Sequence, residues 1–524
     1  MEAAMLSEID GMMAAEGFGY VVVCCSNLSA ENFWQARLEK TVKEVTGVAA
    51  KVLCVHEDWN GGAGNGLGTL YAFQKANAKA GVDLVAAMKG GASVAIYHTA
   101  GKGTRMAPLP GAENNNKPGV KLPGLVSLDG TMTPITVLES VMRQTSAYAA
   151  VRKGRCSVFW GDQVFVPSCG TLGCDAAADI LAALRPMPTK EQWEEEQLHQ
   201  YGLIAVDSAG NATQLEKVTY DVAMAFLPKD VQQVGTSLGS FSLSAALTEA
   251  LLAEFAPELA EKTASLDSDP HFWMPLTLKQ ADYLAVMTKK GATEAEASSH
   301  FSRMAAFQQK FNGGKPVLGC VNVGQQAYWW DYGRLELYMN NNIFITDDSP
   351  SANALRTFMK LGESRQVSNT FDPAVTVAPN SVVLNCKISK GSIGPNCVLV
   401  NVVAPSVELE GCVLMNVTST VPITGKGGLL YNVVNTPASG ELSCAAVRAD
   451  VFMPGNVHHV MNSSISVDGG TAWKQQLDGN PMSFEGIYKA NQSLDVSECT
   501  AEGLRAHATT RMQLIYPQTY KISS

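Results

Sequence analysis

No stretch of this 524-residue chain approaches the roughly 18 apolar residues that a membrane-spanning helix needs. The segment from Met1 to Gly19 lacks the basic start and apolar core of a secretory leader. Charge is scarce as well, at 17% of residues against about 25% in an average soluble domain, while the hydrophobic share is 46%. That balance favours large buried cores and argues against disorder. The 49 acids outnumber the 39 bases, and the net charge of −10 repels a phosphate-rich polymer. Neither nucleic acid nor a membrane is an expected partner, and a cytoplasmic location is expected. The 12 cysteines contain no C-x-x-C pair, the nearest approach being Cys169 and Cys174. Several sit inside apolar runs such as Val23-Cys24-Cys25 and Leu53-Cys54-Val55, so buried free thiols in a reducing compartment are expected, not disulfides or a zinc site.

What is present begins with alternation of strand and helix. Tyr20 to Cys24 is β-rich, Ala30 to Val45 has helical spacing, and Val52 to Val55 is a second strand. Gly-rich Gly61 to Gly68 opens a helical stretch, Thr69 to Ala80, and Ser93 to Tyr97 is a third strand leading into Gly101-Lys102-Gly103-Thr104. The pattern continues with Ser157 to Trp160, Leu203 to Val206, a helix over Thr293 to Phe311 and a strand over Val317 to Val323. Strands buried on both faces imply an α/β, doubly wound, Rossmann-like sheet, whose ligands bind beyond the strands' carboxyl ends. Both glycine loops fall there. At about 150 residues per domain the chain should hold two to four domains, and this one is expected over residues 1–345.

Beyond Ser368 the texture changes to apolar marks five or six residues apart: Val377, Val382, Ile388, Ile393, Val398 and Val403. Hexapeptide spacing predicts a left-handed β-helix over 346–461 with these marks pointing inward, the alternative being a β-sandwich. The remainder, 462–524, with a helix over Ser483 to Gln492, is expected to cap the coil. The β-helix edge is a plausible surface for self-association.

The most specific string is Thr99-Ala100-Gly101-Lys102-Gly103-Thr104-Arg105-Met106-Ala107-Pro108-Leu109, directly after a strand. Glycines let backbone N–H groups approach phosphate oxygens, and Lys102 and Arg105 can offset a triphosphate's charge. The string lacks the Gly-Lys-[Ser/Thr] ending of a P-loop and the Gly-x-Gly-x-x-Gly of a dinucleotide fold.

This string resembles the signature of the sugar-1-phosphate nucleotidylyltransferases, whose catalytic domain is GT-A-like. The resemblance implies that Gly101 to Thr104, with Ala100, hold the nucleotide and that Arg105 touches the phosphates. Gly161-Asp162 after an apolar strand is similar to the family's metal-binding aspartate, and Trp330-Asp331-Tyr332-Gly333 is similar to its second. Asp162 and Asp331 would therefore hold Mg²⁺, a hard cation that also binds phosphate oxygens. Tyr201-Gly202-Leu203 and Gln214-Leu215-Glu216-Lys217 resemble the sugar site, with Glu216 on sugar hydroxyls, Lys217 on the sugar phosphate, and Gly202 and Gly239 admitting the sugar. Asp267 and Asp269 beside His271 are read as a polar loop.

Gly64-Asn65-Gly66-Leu67-Gly68-Thr69 resembles the loop that contacts the base, through Gly66, Gly68 and Thr69, but precedes the signature instead of following it. That order is most like the guanylyltransferase part of fucokinase/GDP-fucose pyrophosphorylase. The family's lysine position, in Lys117-Pro118-Gly119-Val120-Lys121-Leu122-Pro123, is taken by Gly119, so Lys117 or Lys121 would be catalytic. The implied reaction joins a nucleoside triphosphate and a sugar-1-phosphate into an NDP-sugar, with guanine and fucose or uracil and glucose or another hexose as substrates. The alternative is a catalytically silent regulatory subunit that binds a sugar nucleotide.

Overall fold

The computed structural model describes residues 2–99, 101–161, 163–170, 172–325, 328–361 and 364–515. The early alternation of strand and helix builds the centre of a sheet. Strands β1 (Tyr20–Cys25), β2 (Lys51–His56), β3 (Val94–His98) and β4 (Arg155–Trp160) run parallel in the order β2–β1–β3–β4. Because successive side chains point to opposite faces, Val21, Val23 and Tyr97 enter one core while Val22, Cys24 and Ile96 enter another. Helices cover both faces. Helix α1 (Leu28–Thr46) starts where Asn27 Oδ1 accepts the Ala30 N–H and ends at left-handed Gly47; Trp34, Leu38, Val42 and Val45 form its buried stripe. Helix α2 (Gly64–Ala80) begins five residues before the expected Thr69, so Gly66, Gly68 and Thr69 lie within a helix and not in a loop.

Further strands extend the sheet beyond β4: β5 (Ala178–Pro186), β6 (Gly202–Val206), β7 (Ala212–Glu216), β8 (Gln233–Ser244) and β9 (Leu318–Asn322). Strand β8 pairs antiparallel with β4, β5 and β6; β7 is the hairpin partner of β6, and β9 runs parallel to β5. The sheet is therefore mixed, with its parallel part at β2–β1–β3–β4. Because β2 and β3 leave β1 in opposite directions, the switch point lies between β1 and β3.

From Val382 the chain stacks parallel strands, Val382 on Val398, Val398 on Val413, Val413 on Leu429 and Leu429 on Val447, each pass 15 to 18 residues after the last. Turn residues Asn385, Asn401, Asn416 and Asn432 all adopt left-handed φ near +55°, and their side-chain amides bond in series down the stack. One sequence expectation is corrected here. Val382 and Val398 do not point into the coil: they join the core shared with the sheet domain, and Val383, Leu399, Leu414 and Leu430 fill the coil's interior. The cause is period-two alternation on strands buried on both sides.

Just past 345, the helix Pro350–Phe358 packs on the helix Glu2–Ala14 and puts Leu355 and Phe358 into that shared core. The segment after 462 does more than close the coil. The strand Val457–Ser463 pairs antiparallel with Val447–Met453, helix α3 (Phe484–Asn491) returns to the signature loop, and helix α4 (Val496–Ile515) lies against the stack and α1. Nine of the 12 cysteines are buried and all are free. No helix among the described residues is long and apolar enough to cross a membrane.

Candidate active site

A cleft of about 450 Å³ opens across the carboxyl ends of the parallel strands, lined by Glu57, Gly64, Asn65, His98, Thr99, Gly101, Lys117, Pro118, Trp160 and Gly161. Segments far apart in the chain meet there because β2, β3 and β4 end on one edge of the sheet. The two glycine segments share this cleft.

The signature loop is anchored from below. Met106, Ala107 and Leu109 are buried in the core, which leaves Gly101 to Arg105 at the surface, with Gly101 and Gly103 at φ +126° and +63°. The Lys117 stem packs on Gly103, where an added Cβ would come 3.1 Å from Lys117 Cγ. This contact brings Lys117 to the cleft. Lys121, four residues on, is held elsewhere: its ammonium pairs with Glu113, and the same Glu113 accepts the Tyr431 hydroxyl at 2.5 Å. Its backbone N–H donates to the Tyr431 oxygen at 2.9 Å, and its carbonyl accepts the Tyr338 hydroxyl at 2.8 Å. Lys121 thus ties the coil to the sheet domain.

Lys102 points away from the cleft, its Nζ 5.4 Å from the Tyr488 ring centroid on α3. Arg105 lies beside Gly333, where an added Cβ would be 3.9 Å from Arg105 Nη2 and 2.9 Å from Asp331 Oδ1. Asp331 Oδ1 accepts the Gly333 N–H at 2.6 Å, and its strand pairs Asp331 opposite Gln163, the residue after Asp162. Asp162 and Ala100 themselves lie outside the described residues.

The residues that the resemblance implies for the sugar lie beyond Trp160. Strand β8 passes β4 so that an added Cβ on Gly239, at φ +71°, would come 2.6 Å from Trp160 Nε1. Gly202 pairs with Glu216, and a Cβ there would meet Glu216 Oε2 at 3.0 Å and the Ser237 Cβ at 3.9 Å. Lys217 is exposed with its Nζ 3.8 Å from Glu216 Oε1, and Lys290, which the sequence did not single out, approaches the same oxygen at 3.6 Å. Asp269 is not in a solvated loop. Burial first, then the Glu216 charge, push its carboxyl up to about 6.

Two further residues line the cleft. Glu57 follows β2, and its Oε1 accepts the Ala63 N–H at 2.9 Å. His98 ends β3, its Nε2 2.8 Å from Thr69 Oγ1. Thr69 spends its one hydroxyl proton on the Asn65 carbonyl at 2.7 Å, so His98 Nε2 is the donor and Nδ1 keeps its lone pair. Its ring lies 5.2 Å from the Trp160 indole, and burial pushes its imidazole down to about 4.

A second buried ring, His507 on α4, faces Asn416 and Thr418 and is pushed down to about 3, by burial first and then by the nearby cations Arg511 and Lys121. Both rings take a proton near pH 6.5 when unfolded and resist it when folded, so unfolding takes up protons below that pH. Stability is then complete above about pH 6.5 and falls as pH drops through the window toward 4. Each ring is expected to cost roughly 2 kcal/mol at pH 5 relative to pH 7.5. Urea denaturation at the two pH values checks this: His507→Gln should remove about half of the dependence, and pH-independent midpoints would refute it.

Among the described residues no group of three or more His, Cys, Asp or Glu is placed to hold a metal. One or two carboxylates completed by substrate phosphates is how Mg²⁺ is usually held, and Asp331 supplies one such oxygen donor beside Arg105.

No protein-family model and no curated protein matches this sequence. Among solved structures, the chain is similar to a putative glucose-1-phosphate thymidylyltransferase from Bacillus anthracis in complex with a sucrose, at 9% identity over 63% of this chain and 96% of that one, with a TM-score of 0.20. At that score the likeness carries no argument about the site.

Proposed function

We propose that this chain is a sugar-1-phosphate nucleotidylyltransferase of the guanylyl or uridylyl type, and that the stacked coils are a left-handed β-helix. The observation that carries the reading is the convergence of two glycine segments, Lys117 and Trp160-Gly161 on one cleft at the sheet's carboxyl edge. A sugar-1-phosphate oxygen attacks the α-phosphorus of the triphosphate in line, and pyrophosphate leaves with the bond's electrons. No covalent enzyme intermediate is needed, so the protein's work is positioning and charge neutralisation.

In this reading Gly101 and Gly103 admit the phosphates to the backbone, Lys117 and Arg105 neutralise them, and Gly239, Glu216 and Lys217 hold the sugar phosphate. Asp162 and Asp331 would hold Mg²⁺, which supplies charge neutralisation at the phosphate oxygens.

The test is pyrophosphate release with Mg²⁺ across a grid of nucleoside triphosphates and sugar-1-phosphates. Release in one cell of the grid is expected; silence throughout with intact NDP-sugar binding would favour a regulatory subunit. Asp331→Asn should cut Mg²⁺-dependent release by about 10²-fold or more, and full retention would remove Asp331 from the site.

A further inference from the structure

We infer that Glu57 reads the nucleobase and that the base it selects is guanine, an inference that rests on a nucleotide occupying the cleft just described. The strand order places the cleft's parts in sequence along the sheet edge: Glu57 at β2, the signature loop at β3, Trp160 and Gly161 at β4, and Gly239 on β8. At about 4.8 Å per strand, the ends of β2 and β4 stand about 14 Å apart along the edge, and the cleft between them holds about 450 Å³.

Which end takes the phosphates follows from the backbone. A helix N-terminus is a ready anion site only while its first N–H groups are free. At α2 they are taken: Asn65 N–H donates to Asp267 Oδ1 at 2.9 Å, and the Gly66 and Leu67 N–H groups donate to the Leu266 carbonyl at 2.9 and 3.1 Å. Glu57 and Asp267 add negative charge to that end. Phosphates therefore belong at Gly101 and Lys117, and the α2 end receives the uncharged base.

At that end Glu57 is the recognition group. The Ala63 N–H holds Oε1, and Oε2 lies beside Gly68, where an added Cβ would come 3.1 Å from it. An ionised carboxylate only accepts hydrogen bonds. Guanine presents two adjacent donors, N1–H and the N2 amino group, to such an edge. Uracil and thymine present one N–H between two carbonyl oxygens, which would face the carboxylate. Adenine and cytosine present an amino group beside a bare ring nitrogen. A site built for donors discriminates strongly against a partner that brings acceptors.

The test is direct calorimetric titration of the intact protein with GTP, UTP, ATP and CTP in EDTA, without sugar phosphate. GTP should bind at least about 30-fold tighter than UTP, and Glu57→Gln, which keeps the acceptor for Ala63, should cut GTP affinity by about 10- to 100-fold while sparing UTP. Gly68→Ala, which crowds Oε2 without touching the carboxylate's charge, should reduce the GTP preference in the same direction. Tighter UTP binding, or an equal loss for every base in Glu57→Gln, would overturn the inference. Guanine selectivity that depends on Glu57 in a protein releasing no pyrophosphate would leave this inference standing and sink the reaction; pyrophosphate release from UTP alone would do the reverse.

Discussion

Lys117→Ala is expected to lower turnover by about two to three orders of magnitude, the usual cost of removing one electrostatic donor from such a site. Lys121→Ala should leave turnover within about threefold and lower stability instead, by roughly 2 kcal/mol, the worth of a charged hydrogen bond. The two lysines differ in what surrounds them. Lys117 packs its stem on Gly103 and lines the cleft, whereas Lys121 is bound by Glu113 under the Tyr431 ring. Its loss leaves Glu113 with the Tyr431 hydroxyl and without its cation. Turnover and urea midpoint measured on both variants decide the matter. A catalytic loss in Lys121→Ala at an unchanged midpoint would transfer the role to Lys121.

The second large effect is expected far along the chain, at Gly469. A Cβ there would lie 2.3 Å from the Thr104 carbonyl oxygen and 2.9 Å from the Ala107 Cβ, both on the signature loop. Backbone cannot swing aside as a flexible side chain can, so Gly469→Ala must displace the loop or the C-terminal segment. Overpacking of this kind costs about 1 to 3 kcal/mol, and a shift of about 1 Å at Arg105 costs about 10²-fold in rate. The neighbouring contacts resist relief: Asn115 Nδ2 donates to the Tyr488 carbonyl at 2.7 Å, and Asn491 Nδ2 to the Gly111 carbonyl at 2.9 Å. Gly11→Ala serves as control, since nothing lies within 4 Å of a Cβ there. Wild-type turnover in Gly469→Ala would mean that the segment does not position the loop.

The sequence by itself determined the alternation of strand and helix, the placement of both glycine segments after strands and the change of texture past Ser368. These are local or periodic properties, written in the spacing of apolar residues and in glycine-rich segments. It also marked Arg105 and Asp331, which the fold brings to one glycine, Gly333. Only the tertiary structure separated the surroundings of Lys117 and Lys121, because Lys121's partner Tyr431 lies 310 residues away. It alone showed that Lys102 faces Tyr488, that Val382 and Val398 serve the shared core, and that the segment after 462 returns to the signature loop. Glu57 was likewise silent in sequence, since a carboxylate after a strand is an ordinary turn residue until the Ala63 N–H holds it at the cleft. The reason is common to all these cases: periodicity reports which face of an element is apolar, and contacts between distant segments decide what that face or side chain meets.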